Sequence, residues 1–111
     1  SGVCDEVIRK YYGSADKGSS IELMGFNEKL DRREQIIGQV KELERERLQI
    51  EQEIKLYMKE NERAESGKYH VSWGSVESTR LDTARIKKER PDIYADYSRT
   101  STSRRFEIRA A

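Results

Sequence analysis

A chain of 111 residues, of which 34% are apolar and 39% charged, cannot bury a generous core by itself. The composition suits a long exposed helix with a small module attached, and the regular patterning of the apolar residues argues against disorder. The formal charge of +1 excludes a bulk electrostatic partner, but residues 1–66 carry 12 basic and 15 acidic side chains and residues 67–111 carry 10 and 6, so any anion-binding surface belongs in the last third.

Residues 1–26 read as a short helix and a linker. In VCDEVIRKYY, residues 3–12, Val3, Val7, Ile8, Tyr11 and Tyr12 recur at the spacing of an amphipathic helix. Cys4 is the single cysteine, which excludes an internal disulfide and suits a reducing compartment; the thiol reads as a bystander. The Ser-Gly opening without a methionine reads as a piece of a longer protein. Gly13 to Ser20 is a Gly/Ser-rich turn or linker, and Ile21 to Phe26 is apolar but too short to classify.

Residues 27–66 read as a long coiled-coil-like helix, with Asn27 as candidate N-cap. Ile36, Val40, Leu43, Arg47, Ile50, Ile54, Tyr57, Asn61 and Ala64 follow one another at alternating steps of four and three, the seam of a heptad repeat interrupted by Arg47 and Asn61. Glu42, Glu44, Arg45, Glu46, Glu51 and Glu53 surround it, and Ser66-Gly67 ends it. Such a helix is roughly 55 Å long, and a first helix of roughly 15 Å cannot cover its stripe. Ile36, Val40, Leu43, Ile50, Ile54 and Tyr57 are therefore expected to pack on a second copy, as a homodimer, or on another part of a parent protein. The polar seam positions limit that assembly to low order.

Residues 67–111 read as a small basic α+β module. After Gly67 the period falls to two, with Tyr69, Val71 and Trp73 on one face of a strand. Gly74-Ser75 has the type II′ hairpin signature, which pairs Trp73 with Val76, Val71 with Ser78, Tyr69 with Arg80 and His70 with Thr79. Asp82 caps a helix through Lys88, Pro91 starts another carrying Ile93, Tyr94 and Tyr97, and Arg104 to Arg109 forms a third strand with Phe106 and Ile108 inward. The expected fold is thus α+β: a long heptad-patterned helix followed by a ββααβ module with a three-stranded antiparallel sheet. Tyr69, Trp73, Tyr97 and Phe106 form its core. Arg104 sits at the lip of that core beside Asp82 or Asp96, and Arg105 faces solvent with Glu107 and Arg109.

Arg85, Lys87, Lys88, Arg90, Arg99, Arg105 and Arg109 are the candidates for nucleic-acid or partner contact, with bases stacking on Tyr94 or Tyr97; the competing reading is a solvated basic face. Catalytic chemistry finds no foothold. His70 is the single histidine, so no His/Cys set exists for zinc, the serines lack a base and an orienting group, and Gly13 to Gly18 lacks the ending of a phosphate loop. The chain reads as a non-enzyme needing neither metal nor cofactor. No apolar run is long enough to span a membrane.

The block GKYHVSWGSVESTRLDTARIKKERPDIYADYSRTSTSRRFEI resembles the C-terminal module of YqaJ-like phage recombinases, nucleases of the lambda-exonuclease type. The resemblance rests on Tyr69, Val71, Trp73, Asp82, Lys88, Pro91, Tyr94, Tyr97 and the Arg104-Arg105-Phe106-x-Ile108 ending, and extends back over the charged helix. In that family catalysis lies in an upstream core where a strand-borne Asp and a Glu-x-Lys motif bind metal. Glu53-Ile54-Lys55 spells the motif but sits in the heptad helix without a partnered Asp. The resemblance thus implies a non-catalytic accessory tail of a phage recombination nuclease, in the cytoplasm of a bacterial host, serving oligomerisation and contact with DNA or a phage annealing protein. The alternative is a stand-alone phage interaction module, such as an inhibitor of a host nuclease or CRISPR effector.

Overall fold

The computed structural model describes residues 4–111; Val3 of the first expected helix lies outside them. Six elements follow in chain order: α1 Asp5–Tyr12, α2 Asn27–Met58, β1 Arg63–Glu65, β2 His70–Ser72, α3 Thr83–Glu89 and α4 Pro91–Tyr97. They group into two units, one drawn from the chain's two ends, up to Ile21 and from Arg80 onward, and one spanning Glu22–Thr79. The hairpin therefore goes with the long helix and the C-terminal tail with α1, a grouping that cuts across the three consecutive segments expected from composition.

In the middle unit, α2 runs for 32 residues, about 48 Å. Its N-cap is Phe26, one residue ahead of the expected Asn27, and no side chain caps it. The Phe26 carbonyl takes the first helical hydrogen bond from Leu30 N at 2.9 Å. The helix stops at Met58, six residues before the end of the apparent seam. Lys59 adopts φ 54 and ψ −115, the first central position of a type II′ turn, and Asn61 N closes that turn on the Met58 carbonyl at 3.0 Å. The Asn61 side chain donates to the same oxygen at 3.1 Å. Asn61 and Ala64, expected in the seam, therefore lie beyond the helix.

Freed from the helix, residues 63–65 become β1 and pair antiparallel with β2 as Arg63 with Ser72, Ala64 with Val71 and Glu65 with His70. Trp73 N extends the ladder to the Glu62 carbonyl at 2.6 Å. The reversal lies at Ser66–Tyr69: the Ser66 hydroxyl accepts from Tyr69 N at 3.1 Å, and Ser66 N donates to the Tyr69 carbonyl at 2.9 Å. Hydroxyl-to-backbone bonding of this kind shapes tight turns. This corrects the expected hairpin: Gly74-Ser75 is not its turn, Val76–Arg80 is not a strand, and His70 faces Glu65 rather than Thr79.

In the other unit the local signals hold. Asp82 Oδ1 accepts from Arg85 N at 3.0 Å and caps α3, and Pro91 opens α4. Arg90 alone separates them, ending α3 through its N–H to the Ile86 carbonyl at 2.7 Å and starting α4 through its carbonyl. Ile86, Ile93 and Tyr94 are half-buried on these helices. The expected third strand is absent: Arg104 to Arg109 is irregular, and the sheet among the described residues has two strands. The ββααβ module with a three-stranded sheet is thereby overturned. The presumed partner at Val76–Arg80 is not a strand, so Arg104 to Arg109 has no edge there to pair with.

The expected aromatic core is overturned as well. Tyr69, Trp73, Tyr97 and Phe106 are 45 to 88% exposed, and Met58 at 3% is the single buried hydrophobic residue among those described. The accessible surface of 12241 Å² compares with about 6300 Å² for a compact monomer of this mass. Roughly half of the surface that folding normally removes from water therefore remains in contact with it.

Candidate interaction surfaces

The first surface lies along α2. A helix whose apolar residues recur at steps of four and three presents them as one stripe, and α2 carries Ile36, Val40, Leu43, Ile50, Ile54 and Tyr57 in that register. All six are exposed, from 37 to 88%. Around them lie short-range ion pairs: Arg45 reaches back to Glu42, and Arg47 lies 3.8 Å from Glu51. The hydrogen bond from Arg45 holds the Glu42 carboxyl below its usual range and raises Arg45 in turn. At the helix's end the hairpin folds back within the same unit, setting the Lys55 ammonium 5.5 Å from the centre of the Trp73 ring. Glu53 and Lys55 are helical residues on this exposed rod. Among the described residues no three His, Cys, Asp or Glu side chains gather as metal ligands.

The second surface is the basic C-terminal region, and its seven candidate cations divide into two groups. Arg85 pairs with Glu89 at 2.9 Å and Arg90 with Asp92 at 3.2 Å, while Arg105 and Arg109 meet the two oxygens of Glu107 at 3.5 and 2.8 Å. Arg90 holds the Asp92 carboxyl below its ordinary range, chiefly through its hydrogen bond. Lys87, Lys88 and Arg99 meet no carboxylate among the described residues. The Lys87 ammonium lies 5.5 Å from the centre of the Tyr94 ring, so one expected stacking residue already has a cation over its face. Tyr97 is fully available at 88% exposure.

The same unit contains a cleft that the sequence did not disclose. One face of α1, with Asp5, Ile8, Arg9 and Tyr12, and the tail from Thr102 to Phe106 enclose about 550 Å³. Arg104 Nη1 donates to the Tyr12 carbonyl at 2.8 Å, satisfying one of the carbonyls that a helix C-terminus leaves unpaired. Arg104 therefore bonds the end of α1 rather than sitting at the lip of an aromatic core beside Asp82 or Asp96. The signal available in the sequence was the amphipathic pattern of α1, whose apolar face needed a cover. The chain separation of 92 residues hid which segment supplies it.

Comparison with known proteins accords with the resemblance read from the residues. The chain is 31% identical over 110 residues to a Bacillus subtilis (strain 168) protein titled "Uncharacterized protein YqaJ". The match covers 98% of this chain and 34% of that protein. The similarity therefore runs along nearly the whole chain, which spans about a third of the length of that relative. No family profile matches the chain, and no solved structure does. Among the described residues no helix is long and apolar enough to cross a membrane.

Proposed function

We propose that this chain is a non-catalytic interaction module of a YqaJ-like recombination nuclease of phage type, working in the bacterial cytoplasm. In this reading α2 docks a helix along its apolar stripe, and Lys87, Lys88 and Arg99 bring DNA to the assembly. The observation that carries the reading is the uncovered stripe: six large apolar side chains in heptad register stand exposed on a 32-residue helix. Exposed contiguous apolar surface on that scale marks an interaction site. YqaJ similarity over nearly the full chain supports the assignment to that kind of protein.

A second reading, a stand-alone protein-interaction module, draws support from the cations. Arg85, Arg90, Arg105 and Arg109 are paired with three carboxylates, Glu89, Asp92 and the shared Glu107, which reduces the charge offered to phosphate. Fluorescence anisotropy with duplex and single-stranded oligonucleotides separates the two. With three phosphates contacted, raising salt from about 50 to about 200 mM should weaken binding roughly 40-fold. Binding that is absent at low salt, or indifferent to salt, removes the DNA role and leaves the protein-interaction module. Incubation of linear duplex DNA with magnesium or manganese tests the other half: intact DNA is expected, and degradation by the purified chain would overturn the non-catalytic assignment.

A further inference from the structure

The stripe on α2 also carries information about what covers it. Placing Val40, Arg47 and Ile54 at one core position of the heptad, and Ile36, Leu43, Ile50 and Tyr57 at the other, fixes which residues flank the seam. Between Leu43 and Ile54 the flanks are Glu44 and Glu51 on one side and Glu46 and Glu53 on the other. Arg47 is the lone base in that strip, four negative charges against one positive, and it leans on Glu51 of its own helix.

A second copy is a poor cover for such a face. In a parallel in-register pair, a flank residue meets the flank five positions later on its partner, which sets Glu46 against Glu51 twice and brings the two Arg47 side chains together. In an antiparallel pair, like flank meets like flank, and glutamate again faces glutamate. Like charges juxtaposed across an interface act against that pairing. The remaining helices among the described residues, of 8, 7 and 7 residues, are about 10 to 12 Å long, against about 32 Å from Ile36 to Tyr57.

Resting on the reading of α2 as a docking helix, we infer that its partner is a helix from outside these 111 residues, with an apolar seam flanked by lysine or arginine, and not a second copy of this chain. Basic flanks pair with Glu44, Glu46, Glu51 and Glu53. A polar or acidic seam residue opposite Arg47 fixes the register, as polar seam positions do.

The test uses two synthetic helices of about four heptads, both with leucine and isoleucine seams, one flanked by lysine throughout and the other by glutamate. The chain alone should sediment as a monomer at micromolar concentration. It should bind the lysine-flanked peptide one to one, about tenfold or more tighter than the glutamate-flanked one, since several exposed pairs change sign together. Raising salt from about 50 to about 500 mM should narrow that difference. The quadruple charge reversal Glu44→Lys, Glu46→Lys, Glu51→Lys and Glu53→Lys should invert the preference. A stable dimer at low salt, or equal affinity for the two peptides, overturns the inference but leaves α2 as a docking helix. Failure of both peptides and of self-association overturns the docking reading as well.

Discussion

Lys59 holds a backbone conformation, φ 54 and ψ −115, that glycine adopts freely and lysine does not. A side chain held there costs on the order of 1–3 kcal/mol, and two hydrogen bonds from Asn61 to the Met58 carbonyl help to offset it. Lys59→Gly should therefore stabilise the turn by about 1 kcal/mol, read as slower hydrogen exchange of the Asn61 amide that closes it. Asn61→Ala should speed exchange of that amide by a similar factor, since it removes the side-chain bond to the Met58 carbonyl. Glu107 presents a different residue-scale question, because its carboxylate engages both Arg105 and Arg109. Glu107→Gln releases two guanidiniums and removes one negative charge. Oligonucleotide affinity at low salt should rise several-fold, about three to ten, and the anisotropy titration described above reads it directly. No change would mean that these two arginines are remote from the nucleic acid, contrary to the contact expected of Arg105.

At the scale of elements, the readable parts were those whose signal is local. Asp82 ahead of Thr83, and Pro91 at a first helical turn, each announce a helix within four residues, and both helices form where expected. The stop of α2 was not readable, because it is made by a lysine in a glycine-like conformation with neither Gly nor Pro beside it. The apolar period continued through Asn61 and Ala64 and so appeared to continue the helix. That single miss displaced the hairpin: residues 63–65, assigned to the helix, were free to pair with residues 70–72. The Gly74-Ser75 signature then had no strand to turn into. The α1–tail cleft escaped for another reason, since contacts across the whole chain leave no mark in local spacing. One element offers a pH test. Arg90 depresses Asp92 at the start of α4, where a carboxylate also complements the helix dipole. A depressed folded-state pKa means that this contribution is present above the unfolded-state value and is lost as pH falls through the folded one. Helicity of α4, followed by the amide signals of residues 92–97, should thus decline on acidification below about pH 4, and the decline should vanish in Asp92→Asn.

For the whole molecule, the deciding quantity is the apolar surface left in water. With Met58 its single buried hydrophobic residue among those described, the chain has little of the burial that makes small domains unfold cooperatively. Helical stability in proteins comes mostly from packing an amphipathic face rather than from intrinsic propensity. The alternating acidic and basic residues of α2 add support of only about 0.2–0.5 kcal/mol per pair. Heating the isolated chain should therefore melt α2 gradually, with far-ultraviolet dichroism falling over a wide temperature range and no sharp heat-absorption peak. A helix seated on Ile36, Val40, Leu43, Ile50, Ile54 and Tyr57 changes this by removing their surface from water, at about 25 cal/mol for each Å². The same sample with a saturating lysine-flanked peptide should show one cooperative transition, shifted upward with peptide concentration as binding linkage requires. Ile50→Asp, at the centre of the stripe, should abolish both the shift and the sharpening while leaving the broad melt of the free chain nearly unchanged. A sharp transition for the chain alone would mean that α2 is already covered in solution. A dimer in sedimentation at the same concentration would then identify the cover as a second copy.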